Sequence, residues 1–361
     1  MLESDIERMR DRSDDVAKAG EPAIWFPAVR CGTGADVFTE TLAGRLQKHG
    51  IRTEITWLPH RAEYAPWTVS VPEPPSWANI VHVNTWLHPR FIPKHLAVVA
   101  TLHHSIHHPV LEPYKGLPRS AYHRYWIRRV ERATMHRADC VVAVSHFAAD
   151  TARRAVLDRP MDVIHNGVDL QRFSPLPEHQ SHRPFRLLYV GSWMARKGVD
   201  LLAPIMRELG GEFELRYTGG PAAERDKSRM PANMHDTGRL KGEEAVSTVM
   251  QDADALLFPS RSEGFGLVAA EAMASGLPVI ATRGSSLTEV VEDGSSGILC
   301  AQDDVRAFAA AARCLAGDQT LWQRMSNAAV ERVARRFSLA SMIDAYVDIY
   351  ARRPHRGAET L

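Results

Sequence analysis

The sequence predicts an α/β protein of two Rossmann-like units facing across a cleft, and three observations predict it. The chain has 361 residues, enough for two units at about 150 residues each. From residue 21 onward, short Val-, Ile- and Leu-rich runs alternate with helical-period segments, the rhythm of βαβ units whose parallel strands are covered on both faces. That rhythm stops at residues 173–184, FSPLPEHQSHRP, where three prolines suit neither a helix nor a central strand, and then restarts.

In the first half the apolar runs predict strands at Ala23–Val29, Arg52–Trp57, Ile80–Asn84, Ala97–Leu102, Cys140–Ser145 and Asp162–His165. In the second half they predict strands at Arg186–Val190, Glu214–Thr218, Asn233–Asp236, Ala255–Pro259, Val279–Ala281 and Ile298–Cys300. Helices fall between most of them, among them Val37–Lys48, the alanine-rich Ala307–Leu315, and Leu339–Arg353, whose last turn carries Arg352 and Arg353 beside the carbonyl end of the dipole.

Hydrophobic residues make up 45% and charged residues 24%, which excludes disorder, collagen-like repeats and a simple coiled coil. Lys plus Arg number 44 against 43 Asp plus Glu, so no overall field marks a nucleic-acid binder. Cys31, Cys140, Cys300 and Cys314 lie far apart without a CxxC or a finger spacing, which predicts reduced thiols in the cytoplasm. The N-terminal MLESDIERMRDRSDD has no apolar core of the signal-peptide kind, and no window holds 18 uninterrupted apolar residues. A chain neither exported nor membrane-spanning is expected.

The strongest chemical signal is Glu263-Gly-Phe-Gly-Leu-Val-Ala-Ala-Glu271, after the strand Ala255-Leu-Leu-Phe-Pro-Ser260. One carboxylate stands in a glycine-containing loop and the other about two turns inside the following helix, whose free N-terminal amides attract phosphate. Read alone, Glu263 could merely cap the helix and Glu271 pair with a base. The strand, the PSRSEGFG loop, the EAMASG helix and the LPVIAT strand together resemble the EX7E segment of the family 4 glycosyltransferases, retaining enzymes of the GT-B fold. The resemblance implies that Glu263 contacts the donor sugar, that Phe265, Gly266 and Leu267 meet sugar and phosphate, and that Glu271 holds the ribose hydroxyls.

Leu188-Tyr-Val-Gly-Ser-Trp-Met-Ala-Arg-Lys-Gly-Val-Asp200 ends a strand at Gly191 and places Arg196 and Lys197 just before a helix, where two cations can neutralise a diphosphate. It resembles the family's donor-phosphate loop, with Ser192 where many members carry Arg, so Arg196 and Lys197 are expected to supply most of the charge. Val163 to Pro175, VIHNGVDLQRFSP, resembles the IPNGVD-x-x-RFxP segment that closes the first domain. The domains so implied are an acceptor-side unit over 1–172, a linker over 173–184, a donor unit over 185–336 and, at 337–361, a C-terminal helix returning to the first unit.

Arg30-Cys-Gly-Thr-Gly-Ala-Asp36 resembles the family's glycine-rich cleft loop and suggests donor contacts at Gly32 and Gly34. As a dinucleotide fingerprint it fails, because Val37 stands at the third glycine. Thr101-Leu-His103-His104-Ser-Ile-His107-His108 follows a strand, at the sheet edge where α/β ligands bind. Four histidines invite a metal, but no Cys or carboxylate joins them. The segment resembles the T-x-H-D that many members of that family carry; the resemblance implies that His103 is the histidine that touches the donor sugar, and His104 replaces the acid. His104, His107 and His108 are expected to shape the acceptor side or to be solvated. Asp252-Ala-Asp254 satisfies DxD formally, yet helix-end capping and solvation explain it better, so no metal or other cofactor is expected.

Residues Lys115 to Arg137 hold seven Lys or Arg and one acid, Glu131, with Tyr114, Tyr122, Tyr125 and Trp126 nearby. On one α-helix Arg124, Arg128 and Arg132 form a basic stripe, suited to anionic lipid headgroups on the inner face of a membrane or to solvent. The activity these residues and the resemblance imply is retaining transfer of a mannose- or glucose-type sugar from a nucleotide diphosphate donor to a glycan or lipid-linked hydroxyl, as in polysaccharide or lipopolysaccharide synthesis. The rivals are an epimerase or hydrolase of the same fold and a non-catalytic donor-binding partner.

Overall fold

The computed structural model describes residues 21–352 except 105 and 178. The charged N-terminal segment and Arg353, discussed above, lie outside the described residues. All twelve expected strands form. β1 (Ile24–Val29), β2 (Thr53–Leu58), β3 (Ile80–Asn84), β4 (Ala97–Leu102), β5 (Cys140–Ala143) and β6 (Asp162–Val163) make one parallel sheet in the order β2-β1-β3-β4-β5-β6. β7 (Phe185–Tyr189), β8 (Phe213–Tyr217), β9 (Met234–Asp236), β10 (Ala255–Phe258), β11 (Val279–Thr282) and β12 (Gly297–Cys300) make a second, in the order β12-β11-β10-β7-β8-β9. The inner strands are buried on both faces, which is why they read as unbroken apolar runs: every residue of β4, β5, β10 and β11 is buried.

Strand order reverses between β1 and β3 in one sheet and between β7 and β10 in the other. Open α/β sheets bind ligands in the crevice outside the strand ends at such a reversal. The loops after β7 and β10 hold the RK pair and Glu263, the loops after β1 and β4 hold Gly32 and His103, and Gly34 opens the helix after β1.

Helix Leu339–Ala351 crosses to the first sheet, where Met342, Ile343, Tyr346, Ile349 and Tyr350 pack with Ile24, Phe26, Ile80 and Val99. Tyr346 and Tyr350 are buried, and such rings remove 150–250 Å² each from water, worth about 4–6 kcal/mol apiece as an upper bound. Their hydroxyls meet Thr101 at 3.1 Å and His82 at 2.6 Å, so neither polar group is stranded.

Two expectations need correction. Asp254 is neither solvated nor a helix cap: it is fully buried and binds His179 and His182 at 2.9 Å and the Arg186 amide at 2.7 Å, fastening the linker to the second sheet. The basic segment is also no single α-helix. Leu117–Tyr122 and Arg128–Arg137 are α-helical, but a π-turn at His123–Ile127 lies between them, so Arg124 and Arg128 do not follow the regular i, i+4 spacing. Arg124, Arg128 and Arg132 are all exposed.

Candidate active site

The site is built where the ends of β7 and β10 meet. Gly198, at φ 73°, closes the RK loop so tightly on the strand end that a Cβ there would lie 2.1 Å from the Pro259 carbonyl. The Arg261 amide donates to the Arg196 carbonyl at 3.0 Å, and the Arg261 guanidinium binds Asp200 at 2.7 Å and Asp303 at 2.6 Å. This bolt was not singled out from sequence, though its residue stands inside the PSRSEGFG loop.

Glu263 is buried, and Lys197 Nζ donates to Oε1 at 2.6 Å and to Oε2 at 2.8 Å, while Ser260 Oγ donates to Oε1 at 2.6 Å. Oε1 therefore has both lone pairs occupied and Oε2 keeps one. Burial pushes the carboxyl upward, but the Lys197 ammonium, the hydrogen bonds from Lys197 and Ser260 and the Arg196 charge outweigh it and hold Glu263 below the usual carboxylate range. Glu271 goes the other way. Burial, with the Glu243 charge beside it, pushes its carboxyl up to about 8.

Lys197 is thus already paired, whereas the Arg196 guanidinium has no ion pair among the described residues. Helix Leu267–Ala274 follows the Glu263 loop and is capped by Gly266 at φ 94°. The amides of Phe265, Gly266 and Leu267 are unengaged among the described residues, and the Phe265 ring is buried against His165 and Phe337. Gly191 donates its amide to Thr218 Oγ1 at 3.0 Å, shaping the loop rather than facing a ligand with that group.

The first unit supplies the opposite wall. A cavity of 980 Å³ runs between the two and is lined by Gly32, Gly34, His103, His104, Ser192, Arg196 and Lys197, and farther out by Glu63, Tyr64, Tyr122 and His123. The Gly32 amide donates to Asp36 at 2.7 Å and is spent within its own loop; helix Gly34–Lys48 starts immediately after it. His103 packs edge-on against Phe38 at 4.5 Å, and burial lowers it to about 4, leaving a neutral imidazole.

The four histidines diverge. His107 bonds buried Glu131 at 3.1 Å and His108 caps the Val110 amide at 3.3 Å, so neither is simply solvated, while His104 stays in the cavity. Direct contacts hold the walls together: Ser145 Oγ donates to the Gly264 carbonyl at 2.5 Å, and Glu289 accepts from the His146 and Phe147 amides at 2.9 and 2.8 Å.

Comparison with known proteins places the chain in a family. The family described as "Glycosyl transferases group 1" matches residues 184–318, and "Glycosyltransferase Family 4" matches residues 76–172. Glycogen synthase of Mycobacterium tuberculosis is 29% identical over 291 residues, 76% of this chain and 69% of that protein. D-inositol 3-phosphate glycosyltransferase of Corynebacterium kroppenstedtii is 30% identical over 243 residues, 59% of this chain and 52% of its own. Among solved structures, sucrose-phosphate synthase from Thermosynechococcus elongatus superposes with a TM-score of 0.75 at 21% identity, over 91% of this chain and 98% of that one. Anabaena HepE in complex with UDP and glucose gives 0.71 at 16% identity, over 92% and 100%. Two six-stranded parallel sheets around such a cleft are the GT-B architecture, and the matching family models describe glycosyltransferases. The chain belongs to the family 4 glycosyltransferases.

Proposed function

We propose that this enzyme transfers a mannose- or glucose-type sugar from a nucleoside diphosphate sugar to the hydroxyl of a glycan or lipid-linked acceptor, with retention at the anomeric carbon. The observation that carries the reading is the arrangement at the ends of β7 and β10: an unpaired guanidinium, open helix amides and two glutamates held in opposite states. Arg196 and the amides of Phe265, Gly266 and Leu267 take the diphosphate, Glu271 the ribose diol, and Glu263 Oε2 and His103 the sugar hydroxyls. Charge builds on the departing diphosphate, where these fixed donors stabilise it more than in the ground state.

The acceptor oxygen bonds to the anomeric carbon on the face that the phosphate leaves, and the hydroxyl proton passes to the departing phosphate oxygen. Glu263, neutralised by Lys197 and Ser260, is a poor nucleophile, which favours this route over double displacement. Because protein cations and amides meet the diphosphate, turnover proceeds without a divalent metal and withstands EDTA. The test is donor consumption with UDP-, GDP- and ADP-linked sugars, followed by the anomeric configuration of the product by NMR. A chain that consumes its donor equally well without acceptor is a hydrolase or epimerase, and an inverted product removes the retaining mechanism.

A second reading concerns the acceptor's setting, and the apolar rim near the basic segment favours it. Leu117 is 88% exposed, Tyr125 68% and Trp67 67%. Together with Arg124, Arg128 and Arg132 they suit a surface resting on anionic headgroups, each cation contributing about 1 kcal/mol. No helix among the described residues is long and apolar enough to cross a membrane. Wild type should cosediment with anionic but not neutral vesicles at low salt, and the triple Arg→Glu variant at these positions should not. Equal binding by the variant removes the reading.

A further inference from the structure

We propose that His104 holds the attacking hydroxyl of the acceptor, an inference that rests on the transferase reading above. His104 lies directly after β4, and both of its ring nitrogens are buried without a hydrogen-bond partner. Among the four histidines of its segment it alone is in that state, and buried polar groups are seldom left so unless something else completes them. A built cavity is there to do so: the ring lines the 980 Å³ cleft.

Its place in that cleft is where the two walls come together. The Gly264 Cα approaches the first wall so closely that a Cβ would lie 1.9 Å from the His103 carbonyl and 3.1 Å from the His104 Cα, so the histidine is fixed against the loop of Glu263. The charges it feels are Arg196, Glu263 and Lys197 on the donor side and Lys115 on the acceptor side. Burial, followed by those three cations against the one carboxylate, lowers it to about 3. The ring is therefore neutral, with one N–H to donate and one lone pair to accept.

That pair of functions fits one task. The lone pair accepts the hydrogen of the incoming hydroxyl and turns its oxygen toward the anomeric carbon, while the N–H donates to an oxygen of the sugar or diphosphate. So weak a base does not keep the proton, which leaves with the phosphate as the balanced transfer requires. An acid at this place would bring a negative charge between the diphosphate and the acceptor; a neutral ring avoids that repulsion.

The experiment uses glycerol as a probe acceptor with whichever of the UDP-, GDP- and ADP-linked sugars wild type consumes. His104→Ala should lower glyceryl glycoside formation at least tenfold, while calorimetric affinity for the matching nucleoside diphosphate stays within twofold. His104→Asn, which keeps one donor and one acceptor, should recover a substantial part of the loss, and equal melting temperatures show that both variants are folded. Wild-type transfer by His104→Ala, a tenfold loss of nucleotide affinity, or no recovery in His104→Asn overturns the assignment. If wild type consumes no donor sugar, the transferase reading itself fails and this one falls with it; if it does and His104→Ala matches it, only this inference fails.

Discussion

The two walls of the cleft differ in which groups they hold fixed and which they leave open. On the donor wall Glu263 receives Lys197 and Ser260, and Arg261 spans Asp200 and Asp303. On the acceptor wall His104 and His123 have buried nitrogens without partners. Glu63 there accepts from neutral donors, the Tyr122 hydroxyl at 3.2 Å and the Cys31 thiol at 3.7 Å. One wall fixes its carboxylate with protein contacts and, among the described residues, leaves a guanidinium and helix amides free, whereas the other leaves neutral imidazole nitrogens free. Preorganised charges act without reorganisation during reaction, whereas an open wall lets the acceptor supply the missing partners.

The largest expected effect comes from Glu263→Gln, which removes the donor wall's central charge. Turnover should fall about 10²–10³-fold, the scale of losing one preorganised group in a transition state, while nucleotide affinity stays near wild type because Lys197 is released rather than lost. Donor consumption and calorimetry measured together check both parts. Arg196→Ala should come next, with nucleoside diphosphate binding at least tenfold weaker, since a charge-assisted contact is worth about 1.5–3 kcal/mol.

Glu271 sharpens the comparison through pH. A ribose diol donates hydrogen bonds, so it prefers the ionised carboxylate, and with the free group near 8 binding expels a proton below that pH. Nucleotide affinity should therefore rise as pH climbs from 6 to about 8 and level off above. In Glu271→Gln it should be weaker and flat across that range. The smallest effect belongs to the acceptor wall: Glu63→Gln keeps the shape, and the acceptor KM should rise by no more than about tenfold with nucleotide affinity unchanged, one hydrogen bond being worth about 0.5–1.5 kcal/mol.

What the sequence disclosed follows the same divide. Buried parallel strands announce themselves as apolar runs, and Glu263, Glu271, Arg196 and Lys197 stand in short contiguous motifs, so these residues could be singled out before the structure. The state of those groups could not. Whether Lys197 is free or paired depends on a contact across 66 residues, and the burial of Asp254 depends on how the linker folds back across 72. The acceptor wall joins Glu63 to Tyr122 over 59 residues without a motif. The π-turn at His123–Ile127 leaves no periodic signature, because both flanking segments read as one helix.

The central claim, that the donor is held where β7 and β10 end, is tested most directly by a crystal structure with the nucleoside diphosphate that binds tightest. The diphosphate is expected within hydrogen-bond distance of Arg196 and the amides of Phe265, Gly266 and Leu267, with the ribose on Glu271. A nucleotide lying instead on the Gly32–Gly34 loop, with Arg196 and Glu271 untouched, would contradict it.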